Sequence, residues 1–492
     1  MTRVPQLLLF FFSAAFLRPA AASCRLLKRG LSRDLLLLGT VLTQEGALPD
    51  AAVFIQAGKI AYVGDICAFG TTKANYDVSS VVNCTGGGSV ISPGFINTHE
   101  HIDFSTVAPF PDTGERAGHR HDWRLGTRNY TMREVAVNGS VVDATAWGEL
   151  RHLFSGTTSI IGGEMVPGLA RNLDFTDGLE EGLAHRVVIY DTFPLKDKLG
   201  ILRTGDCDYG PNAIEAATAA LYHRYIGHIG EGVDTAAANE FICLSNATFD
   251  VIPALTGGGV STDIIAPNVA LVHALGLSRD DFAVVAARGA KVVWSPRSNM
   301  ALYGKTLNVS HLLEVGITVA LGTDWLPSGS ATMGREAVCA AAATREIYGV
   351  ELSAKLLWEM ATVSAAVVAG FEDQLGSLEV GKLADIVVFG GKSQSQGEDG
   401  GHILDPFGQA IFAPQENIEL VLRGGKVLVA SSGIRDLTYG PCETVAFGES
   451  DKVVCIADEL GSSFKELEAS LRGVYPAVLP DIPPYEPTCK PN

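Results

Sequence analysis

The sequence predicts an α/β protein, with a parallel barrel or a doubly wound sheet and a second, smaller β domain. From Val90 onward, strand-like runs alternate with helical stretches over roughly 280 residues, which is the pattern of parallel sheets. Examples are the strand-like runs at 156–162 and 186–191 and the helical stretches around 212–224 and 331–348. Both flanks of this region instead contain short aliphatic runs with a Gly-Lys turn. We therefore expect the two flanks to pair in one small sheet domain.

Composition and charge narrow the class of protein. The chain has 492 residues, which suits one large domain and one smaller domain. Hydrophobic residues make up 47% and charged residues 19%, so a mainly disordered chain is excluded. The formal net charge of −18 would repel a phosphate backbone, and we expect no nucleic-acid partner. We expect a small-molecule substrate and no membrane span, and leave a homo-oligomer open.

The first 23 residues have the composition of a secretory signal peptide. Arg3 precedes an apolar run at 7–17, and small residues follow at 20–23. The apolar run is too short to span a bilayer comfortably. Cys24 comes directly afterwards, which leaves a bacterial lipoprotein cleavage site as an alternative. We therefore expect a cleaved signal peptide and a secreted or vacuolar protein.

Sequons and cysteines fit a glycosylating, oxidising compartment. Five Asn-x-Ser/Thr sequons are present, at Asn83, Asn129, Asn138, Asn246 and Asn308. There are nine cysteines without a Cys-x-x-Cys pair, so disulfides are expected rather than a zinc knuckle, and at least one cysteine stays free. The pairs nearest in sequence are Cys442 with Cys455 and Cys67 with Cys84.

The flanks and the tail have their own patterns. From Leu35, two strand-rich segments predict a β-meander with turns at Gly58–Lys59 and Gly64–Asp65. Strands return near Gly381, and the Pro-rich tail from Leu471 should be extended and pack on the outside. The expected divisions are a signal peptide 1–23, a first β part 30–92, a central domain 93–375, a second β part 376–435 and a C-terminal extension 436–492.

The strongest chemical signal is a His-x-His segment that follows a strand-like run. Residues two apart on a strand point to the same face, so His99 and His101 converge while Glu100 points away. The preceding run is apolar, which argues against two ordinary loop histidines. Two imidazoles at the end of a strand are a pair of ligands for a divalent metal.

Three later segments add groups of the same kind. His228 ends a short strand, and Glu231 follows in a glycine-bracketed loop, where a carboxylate can relay a proton. His273 lies in an apolar run and, taken alone, is more simply a core residue. Asp324 closes an apolar strand, where barrel enzymes place catalytic groups, although an aspartate after Gly-Thr also suits a helix N-cap.

In this order, His-x-His, His-x-x-Glu, His and Gly-Thr-Asp resemble the amidohydrolase superfamily. The resemblance runs from about Leu35 to about Ala430 and includes 93–95, 295–299 and 376–385. The His-x-x-Glu segment looks like the aminohydrolase and chlorohydrolase branch, with guanine deaminase and triazine hydrolases as relatives. The resemblance implies a (β/α)₈ TIM barrel with a small β-sandwich domain built from both flanks.

Carried over to this sequence, the resemblance implies one divalent metal held by His99, His101, His228 and Asp324. Glu231 would be the proton shuttle, and His273 would stabilise charge on a tetrahedral intermediate. Asp324 would also orient the attacking water, whose pKa a bound metal lowers to about 7. Zinc is the default for a histidine-rich site with an open position, and iron is the alternative. The implied reaction is hydrolysis of a non-peptide C–N bond, by deamination or by cyclic amide or amidine hydrolysis.

Two alternatives stay open. Lys196, just beyond a strand, could be the carboxylated lysine of a binuclear member that acts on cyclic amides or N-acyl amino acids. A solvated loop lysine is the simpler interpretation. The other alternative is a secreted binding protein that kept the fold and lost activity, against which the complete set of candidate ligands argues.

The loop at 104–130 is expected to form part of the substrate pocket, as loops at this end of a barrel do. Histidine, arginine and tryptophan side chains there could stack on or bind a planar or anionic substrate. His119 and His121 could imitate a second metal pair, but nothing upstream gives them strand geometry. The candidate substrate contacts are His121, Trp123, Arg124, Arg297 and Asn299.

Overall fold

The fold is described from a computed structural model, which covers residues 24–70, 73–86, 88–133, 135–137, 139–176, 182–183, 187–210, 213–251, 261–390 and 405–491. The expected signal peptide and the sequon at Asn138 lie outside the described residues.

The N-terminal flank forms six strands: β1 (Arg25–Lys28), β2 (Leu35–Leu42), β3 (Ala47–Gln56), β4 (Lys59–Asp65), β5 (Ser80–Asn83) and β6 (Val90–Pro93). The chain of β2, β3 and β4 is the predicted meander, since each neighbouring pair is antiparallel. Gly58 makes the turn between β3 and β4 with a φ of 78°, a conformation that favours glycine.

Eight parallel strands follow: β7 (Phe95–Asn97), β8 (Thr157–Ile160), β9 (Arg171–Asn172), β10 (Val188–Asp191), β11 (Arg224–Ile229), β12 (Val269–His273), β13 (Lys291–Trp294) and β14 (Val319–Leu321). They form a three-stranded sheet, β7 to β9, and a five-stranded sheet, β10 to β14, each in chain order. The Val188 amide donates to the Leu173 carbonyl at 2.9 Å between the two sheets. On the far side, the Thr98 amide donates to the Leu321 carbonyl at 3.5 Å. Backbone hydrogen bonds therefore join the two sheets at both edges.

The C-terminal flank adds β15 (Ile386–Phe389), β16 (Ile418–Arg423), β17 (Lys426–Ser431), β18 (Glu443–Phe447) and β19 (Ser450–Val454). β15 pairs with β6, so strands of both flanks belong to one 11-stranded sheet. β18 and β19 come from the expected C-terminal extension, which therefore extends the sheet as well as packing outside it. A sandwich of two packed sheets stays a prediction, because the strand pairing describes a single sheet.

The helices among the described residues are α1 (Lys73–Val78), α2 (Arg120–Leu125), α3 (Val141–Leu153), α4 (Ala216–Ala219), α5 (Thr235–Ser245), α6 (Arg279–Ala287), α7 (Pro296–Tyr303), α8 (Val309–Glu314), α9 (Met333–Tyr348), α10 (Ala354–Ala361), α11 (Val363–Ala369), α12 (Pro406–Ile411), α13 (Ala457–Leu460) and α14 (Phe464–Ser470). α9 matches the helix expected around 331–348; Thr332 caps its start and Gly349, with a φ of 67°, ends it. The helix expected around 212–224 is only α4. Over the part of the chain that the structure describes, every helix is too short or too polar to cross a membrane.

The parallel strands bury both faces, as expected when helices cover a parallel sheet. Ile226, Val272 and Val293 belong to one apolar cluster. The intervening residues Leu271 and Val292 belong to another, larger cluster that includes many residues of the helices. Strand alternation therefore gives the sheet two apolar faces, and His228 lies on the face of Ile226 and Val272.

Disulfides connect the flanks and the tail. The observed pairs are Cys24–Cys84, Cys207–Cys243, Cys339–Cys489 and Cys442–Cys455, and Cys67 is free and exposed. The expected pair of Cys442 with Cys455 is present. The expected pair of Cys67 with Cys84 is wrong: β5, which leads into Cys84, pairs with β1, which begins directly after Cys24. Cys489 ties the tail to α9.

Candidate metal centre

The candidate metal centre lies beyond the carboxyl ends of β7, β11 and β14. His99 Nε2 lies 3.4 Å from His101 Nε2 and 3.1 Å from His228 Nε2. Asp324 Oδ1 lies 3.5 Å from His99 Nε2 and 3.6 Å from His101 Nε2. The structure therefore brings together the four side chains that the sequence singled out as metal ligands.

The donor set fits a divalent cation. Burial, together with the neighbouring histidines, lowers the pKa of His99 and of His228 well below the ordinary value. The Nδ1 atom of His99 lies 3.0 Å from Ser295 Oγ. When Nδ1 carries the proton of this hydrogen bond, the lone pair of Nε2 is free to bind a metal ion. Neutral imidazole lone pairs and a carboxylate that face one another are the deprotonated ligands that zinc or iron requires.

His273 reaches the site through an unusual backbone. In the parallel register, Val272 lies beside His228 and shares its face, so simple alternation would point His273 away. The φ of His273 is 66°, in the left-handed region, and its ring centroid lies 5.0 Å from that of His99. Asp324 has a φ of 58°. Such a conformation costs about 1–3 kcal/mol per residue, and at position 273 it brings the imidazole next to that of His99.

Glu231 lies beside the ligands and is held by its own partners. Its Oε1 atom lies 3.9 Å from His273 Nε2 and accepts a hydrogen bond of 2.6 Å from the Tyr303 hydroxyl. The Trp123 indole donates in turn to that hydroxyl at 2.9 Å. The other oxygen, Oε2, lies 3.8 Å from Arg120 Nη1. Glu231 is thus a buried carboxylate that two hydrogen bonds in series hold in position near the histidines.

The first turn of α7 fixes two further groups. The Ser298 hydroxyl donates to Asp324 Oδ2, and the amide of Trp325 donates to Asp324 Oδ1 at 2.7 Å. Asn299 Oδ1 lies 3.0 Å from His273 Nδ1. His273 Nε2 then lies 3.7 Å from Asp324 Oδ2. The segment 295–299, which is part of the resemblance, therefore orients Asp324 and His273 through hydrogen bonds of Ser298 and Asn299.

A cavity of about 620 Å³ opens onto these side chains. Its lining includes His101, His228, Glu231, His273 and Asp324. The same lining contains four aromatic rings and four cationic side chains: Phe104, Trp123, Phe193, Trp325, Arg120, Arg124, Arg133 and Lys198. A concave site with apolar walls and a few convergent polar groups suits a small planar molecule.

The expected substrate contacts divide into two groups. Trp123 and Arg124 line the cavity, as a substrate contact must. His121 is fully buried outside this lining, and its Nε2 atom lies 2.8 Å from Asp197 Oδ2. Direct substrate contact therefore does not fit His121, because a carboxylate of the protein occupies its ring nitrogen.

Arg297 and Asn299 also need correction as substrate contacts. The guanidinium of Arg297 donates to Ser330 Oγ and to the Pro487 carbonyl, each at 2.5 Å, so it binds the C-terminal tail. Asn299 contacts His273 and does not line the cavity. Both side chains therefore stabilise the protein around the site and do not contact the substrate.

Lys196, the residue of the binuclear alternative, is 48% exposed. Its Nζ atom pairs with Asp191 Oδ2 at 3.1 Å, and it does not line the cavity. This placement agrees with the simpler interpretation of a loop lysine.

Sequence reasoning missed Tyr190 and Tyr303. The Tyr190 hydroxyl lies 3.2 Å from His101 Nε2, and burial raises the pKa of Tyr190 well above its ordinary value. Its position near the end of β10, where other site residues follow their strands, was a usable signal. Tyr303 lies at the end of α7, and no pattern pointed to it.

Comparison with known proteins agrees with this geometry. A model described as the amidohydrolase family matches residues 218–428. Over this segment the chain is similar to the amidohydrolase family. Among its relatives, a 5′-deoxyadenosine deaminase of Methanosarcina acetivorans is 27% identical over 376 residues, which cover 71% of this chain and 82% of the relative.

Solved structures share the fold of this chain. An adenosine deaminase of Xanthomonas campestris with bound zinc has a TM-score of 0.53 and 19% identity, over 80% of this chain and 92% of its own. A zinc-complexed atrazine chlorohydrolase of Arthrobacter aurescens has a TM-score of 0.57 and 21% identity, over 80% and 95%. The protein is a metal-dependent hydrolase of carbon–nitrogen bonds other than peptide bonds.

Proposed function

We propose that this protein removes an amino group from a small heteroaromatic molecule by hydrolysis, with a single divalent metal ion at the candidate centre. The observation that carries the proposal is the position of Glu231, beside His273 and inside a cavity lined by the ligand side chains. A carboxylate placed there can deliver a proton to a departing nitrogen. The names of the relatives, which include 5′-deoxyadenosine deaminase, point to the same reaction class.

The site divides the work among its residues. The ion would be held by His99, His101, His228 and Asp324, and when bound it supplies a Lewis acid that activates water. Asp324, with Oδ2 held by Ser298, would orient the attacking water and accept a proton from it. Glu231 would pass a proton to the leaving nitrogen. His273 is held through Nδ1 by Asn299, and its protonated form would donate from Nε2 to the oxygen on which charge develops.

We infer that the eight parallel strands close as a (β/α)₈ barrel, and that the flanks form a small β-sandwich domain beside it. The hydrogen bonds at Val188 and Thr98, which join the two parallel sheets at both edges, support the closed barrel. In a barrel the candidate ligands would all lie at the carboxyl ends of strands, where enzymes of this architecture carry their sites.

We also propose a secreted or vacuolar location, with residues 1–23 removed. Four disulfides suit an oxidising compartment, and the sequon residues Asn129 and Asn246 are exposed. Cys24 shares a disulfide with Cys84, so its thiol is not available for a lipid. Native protein treated with a glycosidase should migrate faster on a gel. If its migration does not change, the glycoprotein part of the proposal falls.

The reaction is tested by a substrate screen with the zinc-loaded protein. Aminopurines, cyclic amides and N-acyl amino acids are offered separately, and ammonia and amine release are measured by different assays. We expect ammonia from an aminopurine and none from a matched His99→Ala protein. Release of amine or ring opening without ammonia would contradict deamination. Close to two ions per chain by elemental analysis would contradict the single metal.

A further inference from the structure

The cavity above the metal centre carries positive charge that deamination does not require. Arg124, Arg133 and Lys198 line it, although the whole chain has a formal net charge of −18. Among the described residues, none of the three forms an ion pair with a carboxylate. Partly buried cations without a counter-ion are costly, so their presence calls for a partner from outside the chain.

In the described part of the chain, Arg124 makes its hydrogen bonds to neutral groups. Its Nη1 atom lies 2.8 Å from His121 Nδ1, and Nη2 donates to the Lys198 carbonyl at 3.4 Å. The guanidinium carbon lies 4.6 Å from the centre of the Phe193 ring. Burial lowers the pKa of Arg124, and the negative charge of Glu231 opposes this shift.

Arg133 is in the same situation. Its guanidinium carbon lies 5.2 Å from the centre of the Phe110 ring, and burial lowers its pKa. Among the described residues, Glu115 and Asp112 act on Arg133 through their charge without forming an ion pair with it. The Glu115 carboxylate accepts from the Thr131 amide at 3.2 Å, and Asp112 pairs with Arg116 at 2.9 Å.

Arg120 is an arginine of the same cavity whose charge is compensated by carboxylates of the protein. It also lines the cavity, but it is buried, and its Nη2 atom lies 2.8 Å from Asp197 Oδ2 and 3.0 Å from Glu240 Oε1. Two carboxylates thus satisfy Arg120, whereas within the described ranges Arg124 and Arg133 form no ion pair with a carboxylate. The contrast indicates that the two unpaired guanidinium groups are kept available for a ligand.

We propose that Arg124 and Arg133 bind an anionic group, a carboxylate or a phosphate, on the same substrate that loses its amino group at the metal centre. The Arg133 amide donates to the Trp123 carbonyl at 2.8 Å, and the side chains of Trp123, Arg124 and Arg133 all line the cavity. The inference rests on the proposed function and adds the substrate class: a planar heteroaromatic amine with an anionic group remote from the reacting carbon.

Calorimetry with simple probes tests the anion site without turnover. Zinc-loaded protein is titrated with benzoate, phenyl phosphate and the neutral benzamide. We expect at least one anion to bind about 10-fold or more tightly than benzamide, since a charge-assisted hydrogen bond contributes about 1.5–3 kcal/mol. Arg124→Met and Arg133→Met should each remove most of this preference. Arg345→Met, which removes the same charge from a 65% exposed side chain outside the cavity, should keep it.

Turnover tests the substrate class. Ammonia release is compared for adenosine, its 5′-carboxylic acid and its 5′-phosphate. We expect kcat/KM to favour one charged compound by about 10-fold or more in the parent and in Arg345→Met, and this ratio to fall toward one in the Arg124→Met and Arg133→Met proteins. The two charged compounds distinguish a carboxylate from a phosphate.

The outcomes separate the two proposals. If no compound yields ammonia but the arginine variants lose anion binding, the deamination proposal fails and the anion site stands. If ammonia is released and the variants keep the full preference for anions, the preference comes from the metal centre and the inference is overturned. Equal binding of benzoate, phenyl phosphate and benzamide by the parent protein would overturn it as well.

Discussion

Two His-x-His segments of this protein have the same spacing and opposite surroundings. In the segment 99–101 the two imidazoles face each other and His228, with the carboxylate of Asp324 beside them. In the segment 119–121 each imidazole faces its own carboxylate. His119 Nε2 lies 3.0 Å from Glu240, and His121 Nε2 lies 2.8 Å from Asp197.

The middle residue of each segment explains the difference. Glu100 points away from the histidines and accepts from Asn97 Nδ2 at 3.2 Å and from Thr323. Arg120 instead donates to both Asp197 and Glu240. A guanidinium between the carboxylates already supplies the positive charge that a metal would bring. In this protein, His-x-His therefore accompanies a candidate metal site only where no cationic side chain binds the carboxylates next to the two histidines.

The largest expected effect is loss of the metal when a side chain of the cluster around His99 and His101 is removed. Removal of a side chain from the segment 119–121 should not have this effect. His228→Ala removes a ligand, and we expect metal content near zero and a loss of turnover of more than about 10⁴-fold. His121→Ala should keep its metal, because its ring faces Asp197. Elemental analysis of both purified proteins checks this. Equal loss of metal from the two would erase the distinction between the segments.

The next effect concerns the carboxylates that accompany the segments. Glu231→Gln keeps the size of the side chain but cannot relay a proton, so we expect turnover to fall by about 10²–10⁴-fold with metal content intact. Glu240→Gln, the matched change beside His119, should lower stability and affect turnover by less than about 10-fold. A Glu231→Gln protein that purifies without metal would make Glu231 a ligand, because its oxygen, His228 and His273 also lie close enough to hold an ion.

A smaller effect is expected from the residue that holds Glu231. Tyr303→Phe removes the hydroxyl that donates to Glu231 at 2.6 Å and leaves the ring in place. We expect kcat to fall about 10-fold with little change in KM, metal content or melting temperature. Steady-state kinetics and a thermal scan measure this. A lower melting temperature with unchanged kcat would reduce Tyr303 to a packing role.

The smallest effect is a pH dependence of stability from the second segment. Burial lowers the pKa of His121 below its ordinary value of 6.5, so the unfolded chain binds a proton more readily than the native protein. Stability from this group is present above pH 6.5 and is lost as the pH falls below it. Denaturant unfolding of metal-free protein should show this loss as the pH falls below 6.5, and His121→Gln should reduce it. Parallel pH curves for the two proteins would contradict the prediction.

The clustering of the candidate metal ligands could be predicted because their signal is local. His99, His101, His228 and Asp324 each follow or end an apolar strand, and strands of a parallel sheet place such residues at one edge. The substrate contacts were predicted less well. Trp123 and Arg124 line the cavity, but His121 and Arg297 carry the same functional groups into contacts with Asp197 and with the tail.

By itself, the sequence determined the α/β class, the order of the candidate ligands and the alternation that sets each strand's faces, since all of these depend on neighbours along the chain. Tertiary structure alone decided which His-x-His segment has ring nitrogens that no carboxylate of the protein occupies. It also decided that Cys84 pairs with Cys24, and that His273 turns toward the candidate metal centre through a φ of 66°. The physical reason is that a side chain's partners, such as Asp197 for His121, come from distant positions that only folding brings within a hydrogen bond's length.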